Sequence, residues 1–196
     1  MMVNIVVLVS GGGTNLQAIL DAQERGEIKN GKVYHVISSN PEAYALIRAK
    51  NHGVNSSVIN LKTFASRDEF DAAIVKKLDE LNAGLVVYAG FNFILGEAVT
   101  NKYANKMINV HPSLIPSFCG KGFYGLKVHQ AVLDYGVKLT GATVHYVNEV
   151  CDGGKIIMQK AVPVLENDTT ETLQKIVMEE AEWELLPKAI NKIINK

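Results

Sequence analysis

The chain has 196 residues, 47% of them hydrophobic and 20% charged, and twenty Lys and Arg balance twenty Asp and Glu. That is enough for one domain with a full core, and the balanced charge excludes a strong overall field drawing the chain to nucleic acid or to a membrane surface. With only Cys119 and Cys151 and no paired-thiolate motif, neither a disulfide framework nor a zinc site is expected, and a cytoplasmic setting is.

The opening MMVNIVVLVSGGG has no basic start and no small-residue cleavage site, so it does not read as a signal peptide. Its apolar run is too short to span a membrane. NIVVLVSG (Asn4 to Gly11) is a β-branched run closed by glycine, the pattern of a strand buried on both faces. TNLQAILDAQERGEI then sets Leu16, Ile19 and Leu20 on one helical face. KVYHVISSN is a second strand, AYALIRAKNHG a helix closed by Gly53, and SSVIN a short third strand. SRDEFDAAIVKKLDELN is an amphipathic helix with Ser66 and Glu69 placed for a capping box and Phe70, Ile74, Leu78 and Leu81 along one face.

AGLVVYAG is another buried strand, FNFIL leads out of it, and a short helix is expected from about Gly96 to Tyr103. KMINVHP is the next strand. The rhythm then changes: SLIPSFCGKGFYG is a loop, LKVHQAVLDYG a helix, and LTGATVHYVN with GKIIMQKAVPV an antiparallel pair joined by EVCDG. TTETLQKIVMEEAEWELLPKAINKII reads as one closing helix, with Thr169 and Glu171 near its start. The alternation predicts a single domain over residues 1–196. Its fold class is α/β, a Rossmann-like open and mostly parallel twisted sheet with helices on both faces and an antiparallel C-terminal edge.

Ligands of such sheets bind beyond the carboxyl ends of the strands, and SGGGTN, AGFNFIL and NVHPS all stand at such ends. SGGGTN lets the backbone approach a ligand closely, and helix-start amides with Thr14 and Asn15 suit a phosphate. The alternative is a tight strand–helix turn. Leu16 stands where a dinucleotide fingerprint needs its last glycine, and no Lys of a nucleoside-triphosphate loop is present.

Asn109 and His111 alternate across Val110 and so share a face. An imidazole can shuttle a proton near neutrality, and a carboxamide can donate to a developing oxyanion without titrating. Together they suit acyl transfer. Asp152, in the glycine-rich EVCDGG turn, is the candidate to orient the imidazole and favour its protonated form. His129, His145 and Trp183 read as structural, Cys151 as a small buried thiol, and EEAEWE as a solvated helix face.

SGGGTNLQAI, VVYAGF, NVHPSLIPSF, GATVHYV and DGGKIIMQKAVPV, in order from Asn4 to about Pro187, closely resemble the folate-dependent formyltransferases that act on glycinamide ribonucleotide in purine synthesis. The resemblance implies 10-formyltetrahydrofolate as co-substrate, no metal, and a catalytic triad at Asn109, His111 and Asp152. It implies a ribonucleotide phosphate loop at Gly13, Thr14 and Asn15 and a ribose-contacting carboxylate at Glu182. It implies a folate pocket at Asn92, Phe93, Ile94 and Leu95, with Asn109 and the turn Asn148, Glu149, Val150, Cys151 and Asp152, and with Arg67 nearby. Partners would be small molecules, neither nucleic acid nor membrane, and the chain would act as a monomer or homodimer.

The chain departs from the family pattern at three places. CGKGFYGLKVHQ is longer than in some relatives, Asn92-Phe93 replaces a Met-Arg pair, and EEAEWE replaces a Gln-x-x-Glu-His pattern, which sets Glu179 where a phosphate would be repelled. A formyltetrahydrofolate hydrolase shares the triad with water as acceptor, but usually carries an N-terminal regulatory domain, and this chain starts at its first strand. A methionyl-transfer-RNA formyltransferase would add a C-terminal RNA-binding domain. A non-catalytic folate or nucleotide sensor would not need the three triad residues.

Overall fold

The structure is a computed structural model and describes residues 2–196. Seven strands form one sheet: β1 (Val3–Val9), β2 (Gly31–Ser38), β3 (Asn55–Val58), β4 (Leu85–Tyr88), β5 (Met107–His111), β6 (Leu139–Tyr146) and β7 (Ile156–Pro163). Their order is β3-β2-β1-β4-β5-β6-β7. The first five pair in parallel, and β6 and β7 form the antiparallel edge that the sequence predicts. The helices are α1 (Thr14–Glu24), α2 (Tyr44–Asn51), α3 (Arg67–Glu80), α4 (Glu97–Lys102), α5 (Leu126–Tyr135), α6 (Thr170–Val177) and α7 (Trp183–Ile194). The chain winds outward from β1 to β3 and then returns to β4 on the other side of β1. That switch point leaves a crevice flanked by the segments after β1 and after β4.

Strand alternation divides the core. Ile5, Val7 and Val9 of β1, Leu85 and Val87 of β4, and Ile108 and Val110 of β5 pack with α1, α6 and α7. Val6, Leu8, Val86, Tyr88 and Met107 point the other way, onto Phe70, Ile74 and Leu78 of α3 and Val99 of α4. Each such buried side chain contributes roughly 1.5–3 kcal/mol. Asn109 and His111 follow Met107 at two-residue steps, so they lie on the α3 and α4 side of the sheet, at the end of β5. On β6, Ala142 and Val144 join the opposite core, which turns Thr143 and His145 toward Asn109 and His111. The register pairs Asn109 with His145 and His111 with Thr143.

Two expectations are corrected. The closing segment is not one helix: a π-helical turn at Met178–Glu182 separates α6 from α7. The Trp183 N–H reaches back five residues to the Met178 carbonyl, and Pro187, inside α7, has no N–H to continue a regular ladder. The helix starts differ in detail as well. The Ser66 side chain accepts from Glu69 N–H at 3.2 Å, but the Glu69 carboxylate takes the Ala65 N–H at 3.0 Å. The reciprocal capping box forms instead at α6, between Thr169 and Thr172.

Candidate active site

The glycine segment is shaped by its neighbours. Ser10 Oγ lies 2.6 Å from Ser39 Oγ and accepts the Asn92 N–H at 2.9 Å, which ties the ends of β1, β2 and β4 together. Gly13 takes a left-handed φ of 73° at the start of α1, and a Cβ there would lie 2.6 Å from the Ala45 Cβ. Nothing lies within 4 Å of a Cβ built on Gly11 or Gly12. No side chain caps α1, which leaves the N–H groups of its first turn without a side-chain acceptor, as a phosphate site requires.

Asn15 and Glu182 meet although one opens the first helix and the other closes the π-helical turn. Asn15 Nδ2 donates to Glu182 Oε2 at 2.6 Å, and the Asn15 Oδ1 is buried with no partner. Desolvation pushes the Glu182 carboxyl above its ordinary 4.5, against the lowering effect of the Asn15 hydrogen bond. A raised folded-state value means that the buried carboxyl suits the fold best below pH 4.5 and suits it less as pH rises through the folded value. Glu182→Gln should therefore raise the melting temperature more at pH 8 than at pH 5, by about 2–4 °C for each kcal/mol released. Equal shifts at the two pH values in calorimetry would show that the carboxylate charge is not what costs stability.

At the end of β5 the three residues singled out from sequence come together. His111, 4% exposed, turns Nε2 to the Phe118 carbonyl at 2.8 Å and Nδ1 toward Asp152 Oδ2 at 3.5 Å. Asn109 Nδ2 reaches Asp152 Oδ1 at 3.4 Å. Asp152 sits at φ 55° in the turn between β6 and β7 and accepts the Gly120 N–H at 2.9 Å. Burial alone would push its carboxyl up, but the charge of His111 and the Gly120 N–H hold it below 3.8. The turn has little freedom, since a Cβ on Gly154 would fall 1.7 Å from the Tyr146 carbonyl oxygen.

His145 belongs to this group, contrary to its structural reading from sequence. Its Nδ1 lies 2.8 Å from the Tyr146 carbonyl, which assigns the proton there and leaves Nε2 to accept from Asn109 Nδ2 at 3.2 Å. Nε2 is also 3.5 Å from Asp152 Oδ1. The alternation of GATVHYV, with Ala142, Val144 and Tyr146 on one face, carries the signal: once β5 and β6 pair, His145 has to face Asn109. His129 stays apart from this hydrogen-bonded group. Burial, with the charge of His111, lowers its pKa to about 4.

A cavity of about 640 Å³ opens beside the group. Asn92, Phe93, Ile94, Leu95, Asn109, His111, Asn148, Val150, Cys151 and Asp152 line it, as do His145 and the 120–125 loop. Glu149 is exposed in the turn, off the cavity lining, and Arg67 stands behind the Asn92–Leu95 segment. Cys151 is half-buried, with Sγ 3.8 Å from Asp152 Oδ2, and burial together with that carboxylate pushes its thiol up to about 11. It is a neutral neighbour of the site.

A mostly parallel sheet covered on both faces, with a ligand-sized cavity and polar groups at the carboxyl ends of its strands, is the arrangement of an α/β ligand-binding protein. Comparison with known proteins narrows this, and the chain belongs to the formyl transferase family, whose sequence profile matches residues 3–190. It is 39% identical over 189 residues to phosphoribosylglycinamide formyltransferase of Haemophilus influenzae, covering 96% of this chain and 86% of that protein. It is 41% identical to the trifunctional purine biosynthetic protein adenosine-3 of Bos taurus, of whose length it spans only 18%. Glycinamide ribonucleotide transformylase 1 from Symbiobacterium toebii superposes with a TM-score of 0.92 at 41% identity, covering 99% of this chain and 88% of that one.

Proposed function

We propose that this chain transfers the formyl group of 10-formyltetrahydrofolate to the amino group of 5′-phosphoribosylglycinamide, a step of purine (IMP) synthesis. The observation that carries this reading is the meeting of Asn109, His111 and Asp152 at the mouth of the 640 Å³ cavity. The glycine segment and Glu182 lie at the neighbouring strand end, where a ribonucleotide can be held. The co-substrate occupies the cavity between Asn92–Leu95 and the turn Asn148–Asp152. Gly13, Thr14 and Asn15 hold the phosphate through main-chain amides, and Glu182 takes the ribose. The chain acts as one formyltransferase domain, and its two thiols, free of any disulfide, suit the cytoplasm.

The substrate nitrogen attacks the formyl carbon, and the carbonyl electron pair moves onto oxygen. The Asn109 amide and the His111 imidazolium donate to that oxyanion. His111 Nε2 already donates to an oxygen, the Phe118 carbonyl, and the oxyanion takes over this hydrogen bond. Asp152 balances the imidazolium charge from the Nδ1 side. When the tetrahedral centre collapses, the C–N bond to the folate breaks, and the proton lost by the attacking amine is passed, through water or through His111, to the departing nitrogen. Each oxyanion donor is worth about 3–4 kcal/mol in comparable acyl-transfer sites. Asn109→Ala should lower turnover by about 10²-fold without moving the pH profile, because an amide does not titrate. A displaced acidic limb would show that Asn109 tunes the imidazole instead.

The reading is tested by incubating the protein with 10-formyltetrahydrofolate, with and without the ribonucleotide. Formyl transfer only in the presence of the ribonucleotide is expected. Release of formate in its absence would make the protein a hydrolase, and binding without either product would make it a sensor.

A further inference from the structure

The glycine segment after β1 is held from behind by α2. The Ala45 N–H donates to the Gly11 carbonyl at 3.1 Å, and Arg48 donates through Nε to the Gly12 carbonyl at 2.8 Å. In a planar trans peptide the N–H points opposite to the C=O. Pinning these two carbonyls on the α2 side therefore turns the N–H groups of Gly12 and Gly13 the other way. Among the described residues, no backbone carbonyl accepts either N–H. Arg48 is itself fixed. Its Nη1 donates to Gln17 Oε1 at 2.9 Å, and its guanidinium carbon lies 5.0 Å from the centroid of the Tyr44 ring. The Gln17 amide is oriented in turn: its Nε2 donates to Asp21 Oδ1 at 2.7 Å and lies 2.9 Å from His52 Nε2, which leaves Oε1 for Arg48. A guanidinium carries its donors in a rigid fork, so one side chain serves the loop carbonyl and the α1 amide at once.

We infer that Arg48 is a positioning residue for the ribonucleotide: by holding the Gly12 carbonyl it aims the Gly13 N–H at the phosphate. Its charge also polarises that peptide, which strengthens the N–H as a donor. SGGGTN has no Lys of its own, and Arg48 brings a positive charge to the loop from the neighbouring helix, acting through the loop backbone. The inference rests on the reading of the glycine segment as the one that holds the phosphate.

The test measures Kd for the ribonucleotide and for its dephosphorylated form, ribosylglycinamide, together with KM and kcat for formyl transfer. The variants are Arg48→Met, Arg48→Lys, Gln17→Met and the double variant Arg48→Met with Gln17→Met. Arg48→Met should weaken the ribonucleotide by about tenfold, the scale of one charge-assisted hydrogen bond, and raise its KM alike. The dephosphorylated form, the co-substrate KM and kcat at saturation should not move. Arg48→Lys keeps the charge but not the fork and should recover only part of the loss. Gln17→Met, which removes the anchor of the guanidinium, should shift the same constant in the same direction by less. The double variant should be no worse than Arg48→Met, because Gln17 acts through Arg48. Full recovery in Arg48→Lys would overturn the inference, since charge alone would then suffice. Unchanged ribonucleotide binding in Arg48→Met, an equal loss of the dephosphorylated form, or an additive double variant would overturn it too; Arg48→Lys and Gln17→Met decide if Arg48→Met does not fold. Gly12→Ala separates this inference from the reading beneath it. If Gly12→Ala leaves the ribonucleotide unweakened, the phosphate is not held by this segment and the reading fails. If Gly12→Ala weakens it and Arg48→Met does not, only the positioning role fails.

Discussion

His111→Ala should lower turnover by about 10²–10⁴-fold while leaving ribonucleotide binding largely intact. The imidazole is buried between the Asp152 carboxylate and the Phe118 carbonyl, so both ring nitrogens face oxygen. In the proposed mechanism a positive charge on the ring is needed most when the oxyanion forms. Asp152→Asn should produce a loss of similar order for a related reason. The amide can still accept the Gly120 N–H, but it cannot balance the charge on His111, and its NH2 group cannot accept from Asn109 as the second carboxylate oxygen does. Single-turnover rates with both substrates bound are the measurement. Near-normal rates in either variant would remove that residue from the chemistry.

Gly13→Val should weaken the ribonucleotide by more than about tenfold and the folate far less. A side chain at this φ is disfavoured by about 1–2 kcal/mol, and its Cβ would press on Ala45 at 2.6 Å. The glycine segment must then shift away from α2 and lose the alignment of its amides. Because such a variant also loses stability, Gly12→Ala is the better-controlled companion. Its Cβ meets nothing within 4 Å, so the protein should melt as the wild type does, while the methyl group intrudes where the phosphate would lie. Titration of both ligands, with folding checked by circular dichroism, decides the matter. Equal loss of both ligands, or loss of the folate alone, would place the phosphate elsewhere.

The strands and most helices were legible because their residues carry local signals: β-branched runs for β1 and β4, a 3.6-residue stripe for α3, glycine where left-handed backbone is needed. The alternation of Asn109 and His111 at a strand end was legible for the same reason, since a two-residue period is a local property. What escaped depends on pairing between distant segments. His145 reads as one more strand histidine until the β5–β6 register sets it against Asn109. Asp71 reads as one of several acids on an amphipathic helix, and only the packing of α3 under the Asn92–Gly96 segment shows its burial. The π-helical turn is invisible to periodicity because one extra residue leaves the apolar positions of α6 and α7 each regular within its own half. EEAEWE is accordingly mixed: Glu179, Glu180 and Glu184 are exposed, while Glu182 is buried.

The hydrogen bond between Asn15 and Glu182 joins residues 167 positions apart, and the Asn30 side chain likewise reaches Asn195 across 165. In the order of synthesis, the glycine segment is made 167 residues ahead of its carboxylate partner. At roughly 5–20 residues per second the interval is about ten to thirty seconds. A ribonucleotide that needs both halves can bind only after the closing helices have docked, and by mass action it then favours the docked state. Held as proposed by the glycine segment and Glu182, the ribonucleotide would act as a clasp on the docked molecule and give no help to the nascent one.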